Sequence, residues 1–305
     1  MNYRPEGFLF RTIENQKLIS TADGLKEAMK RDLILEARVT MCNSNHDLIV
    51  ELPCGEGIIP RNDGAVGIRE GKTRDIALIS RVNKVVCFKV RNITIDENNR
   101  VKATLSRAAA QEEFISECML KLSSGDIIDA KVTHLEQFGC FVDIGCGIPS
   151  LIPIDAISVS RISHPSDRFR IGQYIKAIVR SREGERICLS HKELLGTWEE
   201  NTACFHAGET VSGVVRSVED YGLFVELAPN LAGLAELRGG VNAGENVSVY
   251  IKAIIPEKMK VKLVIVDVCD ECVPLKELHY YISEGHISEW NYAPAISGRK
   301  IITCF

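Results

Sequence analysis

At 305 residues, with 45% apolar and 26% charged side chains, the chain has room for two or three globular domains and is too apolar for a disordered segment. No apolar run reaches the ~18–20 residues of a membrane span, and the opening MNYRPEGFLFRTIEN lacks the basic-then-apolar layout of a signal peptide, so a soluble cytoplasmic protein is expected. A net charge of −4 excludes a protein that grips any polyanion by overall charge, so contact with nucleic acid has to rest on a local patch or on stacking.

Residues 1–32 form an amino-terminal segment in which TADGLKEAMKR predicts a short helix. From 33 to 108 come strand-like stretches, ARVTMCNSNHDLIVEL, GIIPRND, KVVCFKV and KATLS, and LSRAAAQEEFISECMLKL then predicts a linking helix from near Ser106 through 109–124. Between 125 and 195 lie DIIDAKVTHLE, CFVDIG, SLIPI, YIKAIVRS and RICLS, followed by a short helix in KELLGTWEE. Five strands in ~65–70 residues are too few for a two-layer α/β domain, and a small closed barrel is the economical solution. In CFVDIG the side chains of Cys140, Val142 and Ile144 alternate with those of Phe141 and Asp143, so a buried first set displays Phe141 outside. Gly139 is expected to turn the chain and bring Phe138 to the same outer face. Two outward aromatics make a stacking platform.

After a linker at 196–207, whose Trp198 is placed to pack between domains, residues 208–268 repeat the unit. LEQFGCFVDIG at 135–145 returns as VEDYGLFVELA at 218–228, and an offset of 83 aligns Gly125 with Gly208, Phe138 with Tyr221, Phe141 with Phe224 and Leu151 with Leu234. In the carboxy-terminal extension, 269–305, PLKELHYYISEG predicts a helix from Pro274 to Gly285, and Trp290 and Tyr292 of EWNYAP either cap the last barrel or meet a partner. Eleven cysteines stand mostly alone in apolar runs; only Cys269 and Cys272 have metal-ligand spacing, and without a second pair they read as buried thiols of a reducing compartment. His164 and His191 read as loop residues. No phosphate-binding glycine loop, HExxH, GxSxG or acid/base carboxylate pair is present, so no catalytic residue, metal or cofactor is expected.

The order G-D-x-x-x-A-x-V, F-G-x-F-V-D-I-G, a Leu-Ile turn, G-Q-x-I-x-A-x-V and R-I-x-L-S-x-K resembles the S1 RNA-binding domain, an OB-fold barrel. Residues 125–195 and 208–268 resemble it well and 33–108 is a diverged third copy. The run of three is most similar to the short ribosomal protein S1-like RNA-binding proteins of Gram-positive bacteria. The resemblance implies an all-β-dominated chain of three tandem five-stranded barrels with short linking helices. In that family nucleic acid crosses two aromatics, a histidine after the second strand, and an Asp/Arg pair near the last strand.

Carried onto the middle copy, the resemblance makes Phe138 and Phe141 the aromatics and Arg186 the arginine, with Pro153 in place of the histidine and Arg182 in place of the aspartate. The segment 161–186 holds Arg161, Arg168, Arg170, Lys176, Arg180, Arg182 and Arg186 against Asp167, Glu183 and Glu185, a local +4. Aromatics beside bases suit a single strand, since stacking contributes ~1–3 kcal/mol per base while the charges follow phosphates; the alternative is a core pair beside a solvated face. The third copy keeps Tyr221 and Phe224, with Glu236 at the histidine position, Pro256 at the aspartate position, Lys260 at the arginine position, and Lys252, Lys258 and Lys262 nearby. In the first copy the aromatics fall on His46 and Ile49 and the Asp/Arg positions on Asn98 and Lys102, so that copy is expected to be structural or to dock on a protein.

A non-catalytic binder of single-stranded RNA, mRNA or rRNA, associated with the small ribosomal subunit in translation, is therefore the expected function. No membrane or small-molecule substrate is implied. The competing readings are a protein-docking adapter built of the same barrels and an RNA-binding accessory subunit of a ribonuclease complex.

Overall fold

The computed structural model describes residues 3–97, 100–184, 186–269 and 278–305. Two helices, α1 (Ile13–Ile19) and α2 (Ala22–Lys30), precede the first sheet. The latter starts where Thr21, in extended conformation, accepts a hydrogen bond from the Gly24 amide through its hydroxyl. The first sheet comprises β1 (Leu35–Cys42), β2 (Leu48–Leu52), β3 (Gly55–Ile59), β4 (Val85–Ile95) and β5 (Val101–Ser106), with a single turn, α3 (Ile76–Ile79), between β3 and β4. These strands close into a barrel in the order β1-β2-β3-β5-β4. Closure satisfies every edge and leaves a core of Val39, Leu48, Val50, Ile59, Val86, Phe88 and Leu105, all essentially inaccessible. Each such side chain contributes about 1.5–3 kcal/mol by leaving water.

The same cyclic order recurs twice. After α4 (Arg107–Glu117), capped by the Ser106 hydroxyl, the second barrel uses β6 (Ile127–Glu136), β7 (Gly139–Asp143), β8 (Pro149–Pro153), β9 (Tyr174–Glu183) and β10 (Arg186–Ser190). A 3₁₀ turn and α5 (Trp198–Thr202), which opens with a Thr197/Glu200 capping box, lead to the third. That barrel is built from β11 (Thr210–Glu219), β12 (Gly222–Ala228), β13 (Leu231–Ala235), β14 (Asn246–Ile255) and β15 (Lys260–Cys269). In all three the third strand runs parallel to the fifth, and the fourth pairs antiparallel with the fifth. Strands dominate and the helices are short, so the expected three tandem OB-type barrels are present.

By contact density the chain divides into two compact units, one holding residues up to 122 with 129–131 and 143–149, the other 123–128, 132–142 and 150–305. Within the second unit, Cys140, Val142, Val132, Ile152, Val179 and Leu189 fill the middle barrel, as the alternation of CFVDIG requires. Asp143 departs from that pattern. Although it alternates with Val142, it is buried within the first unit, where its carboxylate accepts hydrogen bonds from the amides of Glu6, Gly145 and Gly147.

Gly139 also works differently from the sequence expectation. Its backbone is not left-handed; it must be glycine because a Cβ there would stand 2.5 Å from the Ile152 carbonyl oxygen. At Gly222 the same crowding, 2.5 Å from the Ala235 oxygen, is joined by a φ of +151°.

The carboxy-terminal helix expected over 274–285 is not formed where it can be seen. Pro274 to Glu277 lie outside the described residues, and 278–285 are irregular. A two-stranded ribbon follows, β16 (Glu289–Asn291) paired with β17 (Ile302–Cys304). Trp290 and Tyr292 are buried with Trp198 in the core cluster of the third barrel, so they cap it. Cys272 lies outside the described residues, and among those described no three His, Cys, Asp or Glu side chains converge as a metal site. No described helix is long and apolar enough to cross a membrane.

Candidate nucleic-acid interface

On the second barrel, β7 carries Phe141 half-buried, while Phe138 in the turn before it is 56% exposed. Their ring centroids are 5.9 Å apart and their planes 87° from each other. The third barrel repeats the arrangement with Tyr221, 67% exposed, and Phe224, at 6.2 Å and 90°. An edge-to-face pair is favourable in itself, and it presents two ring planes at right angles, so a base laid on one ring meets the edge of the other. The glycine between each pair of aromatics is what lets this turn pack against the neighbouring strand, so the Gly in the motif is a packing requirement of the platform.

Strand register shows what adjoins the rings. In the third barrel Phe224 pairs with Leu234 and Leu234 with Lys262, so ring, aliphatic and ammonium form one row across β12, β13 and β15. Lys260 and Lys262 are both exposed on β15, alternating with buried Val261 and Leu263. Lys252 stands in the bulge of β14, its ammonium 3.7 Å from a Glu236 carboxylate oxygen. Exposed Lys258 lies in the 3₁₀ turn between β14 and β15.

In the second barrel Leu151 pairs with Cys188, which occupies the position of Lys262; burial pushes that thiol up, so it is an apolar neighbour and not an anion. Two residues before it, Arg186 is exposed. Arg182 is exposed opposite Ile187, with its Nε donating to the Gly184 carbonyl. Arg180 is exposed with its guanidinium 4.0 Å from Asp155. These three arginines share the β9–β10 hairpin.

The rest of the basic segment is dispersed. Arg168 belongs elsewhere: it is 5% exposed and its guanidinium is bound to Glu226, so it is not displayed to a ligand. A buried cation without a carboxylate would cost far more than a solvated one, which is why the side chain turns inward to its acid. Arg170 is exposed but donates to the carbonyls of Ser166 and Phe169 before β9 begins. Lys176 lies four residues before Arg180 on the same strand, about 13 Å away at the rise of a β-strand. Arg161 is exposed in the long connection between β8 and β9, and Glu185 lies outside the described residues.

The first barrel offers no ring pair. His46 sits in a turn with φ of +62°, its Nδ1 3.9 Å from Asp75, whose carboxylate is held low chiefly by the hydrogen bonds from Arg61. Across the strands, Met41, Ile49, Ile58 and Thr104 fall in one register row, with Ile49 at the place Phe224 holds in the third barrel. Lys102 is paired in register with Glu56, and Asn98 lies outside the described residues. His164 and His191 of the middle copy are structural: His164 caps a 3₁₀ turn, and His191 is fully buried between the Ile157 carbonyl and the Tyr280 hydroxyl.

Sequence reasoning missed Leu151 and Leu234, which the repeat offset aligns but whose place beside the rings only strand register reveals. It also missed that a base on the fourth strand faces an acid in both barrels, Arg180 with Asp155 and Lys252 with Glu236.

Residues 121–192 match the family described as "S1 RNA binding domain". The chain is 33% identical over 271 residues to the small ribosomal subunit protein bS1 of Staphylococcus aureus strain COL, an alignment covering 83% of this chain and 66% of that protein. It is 32% identical over 234 residues to bS1 of Staphylococcus haemolyticus, covering 74% of this chain and 56% of the relative. The chain thus spans about two thirds or less of the length of these relatives. A multidomain protein with nucleic acid binding domains from Streptococcus pneumoniae shares 11% identity, with 77% and 74% of the two chains covered at a TM-score of 0.25, too distant to bear on the site. The matched domain, its repetition as barrels of one topology and the kinship with bS1 place the chain in the S1 RNA-binding domain family.

Proposed function

We propose that this chain is a non-catalytic binder of single-stranded RNA that works in the cytoplasm with the small ribosomal subunit and mRNA. The observation that carries the reading is the aromatic pair, one ring exposed and one half-buried, displayed at the same place on two barrels, Phe138/Phe141 and Tyr221/Phe224, each with bases beside it. Unstacked bases lie on the rings while Arg180, Arg182 and Arg186, or Lys252, Lys260 and Lys262, follow the phosphates. A duplex keeps its bases stacked on one another and offers the rings nothing.

The name of the relatives, small ribosomal subunit protein, supports the ribosomal setting. The first barrel supports a division of labour: its apolar row of Met41, Ile49 and Ile58 suits a protein contact better than a nucleic acid.

Fluorescence anisotropy with a ~12-nucleotide single-stranded RNA tests this, with duplex RNA and single-stranded DNA alongside. The double variant Phe138→Ala/Phe141→Ala is expected to weaken single-strand binding roughly tenfold or more, since each stacked base contributes ~1–3 kcal/mol. Equal binding by wild type and by variants of both platforms would overturn the proposal, and no binding by any of them would make a protein-docking adapter the better reading.

A further inference from the structure

The second unit contains both platforms, and it also contains an unusual joint between their barrels. Arg168, from the connection between β8 and β9, reaches Glu226 on β12 of the third barrel; both side chains are under one tenth exposed. Glu226 also accepts from Arg216 Nε of β11 at 2.7 Å, and Arg216 reaches back to Asp167 at 3.4 Å. Two bases and two acids alternate across the joint in electrical balance, the Arg168–Glu226 pair buried and Arg216 and Asp167 partly covered at its edge. The Arg168 Nε is buried without a hydrogen-bond partner.

Next to this lies a second tie. Asn230, fully buried in the turn between β12 and β13, accepts from the Val159 amide at 3.0 Å and donates to the carbonyls of Lys192 at 2.7 Å and Gly196 at 2.9 Å. The Ser160 amide donates to the Pro229 carbonyl. A third tie is the carboxy-terminal extension. Its Gly285 and Ile287 exchange backbone hydrogen bonds with Ile127 and Gly125 at the start of β6, and a few residues later Trp290 and Tyr292 enter the core of the third barrel. The Tyr292 hydroxyl donates to the Asn230 carbonyl, joining the second and third ties.

Buried ion pairs contribute little net stability compared with apolar packing, and an unpartnered Nε costs more; what such pairs do well is fix one register. An apolar joint would hold two barrels together in several orientations. Buried, directional, mutually dependent contacts permit one.

We propose that the second and third barrels are locked as one rigid binder, so that a single RNA strand long enough to touch both platforms is bound as one ligand. This rests on the reading that the platforms bind single strands. In two loosely linked modules the second contact is governed by a broad distribution of separations, and affinity rises gradually with strand length. In a locked pair the separation is set before binding, the ordering cost is already met, and affinity rises in one step at the length that first spans both sites.

The test is a length series of single-stranded RNA from about 4 to 30 nucleotides, titrated against the full chain, Arg168→Met/Glu226→Gln and, separately, Asn230→Ala. Residual dipolar couplings of the amides of each barrel report whether the two share one alignment. The wild type is expected to show one alignment and a step of ~100-fold in affinity, in the range that tethered sites give. The lock variants are expected to keep wild-type affinity for the shortest strands while the step broadens and loses roughly tenfold. Unchanged short-strand binding shows that the barrels of a variant are folded; should the double variant fail that control, Asn230→Ala alone decides. A step of full height and sharpness in a variant whose barrels align independently would overturn the lock, as would a wild type with two alignments. Failure of wild type to bind any strand would instead refute the function on which the inference rests.

Discussion

Gly139 and His191 show how single buried residues shape the fold without touching a ligand. A methyl group at 139 would press on the Ile152 carbonyl, a backbone atom that cannot swing aside. Gly139→Ala is therefore expected to cost about 1–3 kcal/mol, as overpacking does, and to lower the thermal midpoint. It should also weaken single-strand binding, because the displaced turn carries Phe138. Gly184→Ala on the β9–β10 hairpin, where nothing lies within 4 Å of an added Cβ, is expected to leave Phe138 in place and cost only its left-handed φ of +62°, about 1 kcal/mol. His191 makes a different prediction. Burial first of all pushes its pKa from the ordinary 6.5 to about 4, so the folded ring stays neutral while the unfolded chain takes up a proton. Stability that His191 lends above pH 6.5 is thus lost as the pH falls towards 4, to the extent of about 3 kcal/mol. Chemical denaturation across that range should show a shallower slope for His191→Asn than for wild type.

At the scale of elements, much was legible because strands write themselves in a period of two. CFVDIG and LFVELA each declare which side chains face inward, and with them the outward Phe141 and Phe224. The helix after Ser106 was legible from its cap. What escaped the sequence was whatever depends on a partner far along the chain. Arg168 reads like its neighbours Arg161 and Arg170, and nothing local announces that Glu226, 58 residues on, draws it inside. The proline and glycine that bracket 274–285 read as helix ends, whereas the visible part of that segment follows the barrels it straps. Of the basic run, the β9–β10 hairpin alone gathers three arginines. Replacing Arg180, Arg182 and Arg186 by Gln is expected to flatten the dependence of log K on log salt by up to about 2, at roughly 0.7 per phosphate contact on a single strand. An unchanged slope, measured by anisotropy between 50 and 300 mM salt, would move the phosphates to other bases.

For the whole molecule, the closed topology of the barrels has a bearing on how the chain reaches its fold. Two nearly identical strands 83 residues apart invite the wrong partner during folding, since β7 would find in β13 or β11 much the same hydrogen-bonding groups and apolar spacing as in its own barrel. Tandem repeats with open sheets are prone to such exchange, and once made it is slow to undo. Here all five strands of a barrel lie within one continuous stretch of chain, so each can close on itself as it is synthesised, before the next copy has emerged. Once closed it exposes no row of unpaired amides for a sibling to capture. Self-sealing modules of this kind can be duplicated and allowed to diverge one at a time, and the first barrel, which carries His46 and Ile49 in place of the two rings while keeping its strand order, records that freedom.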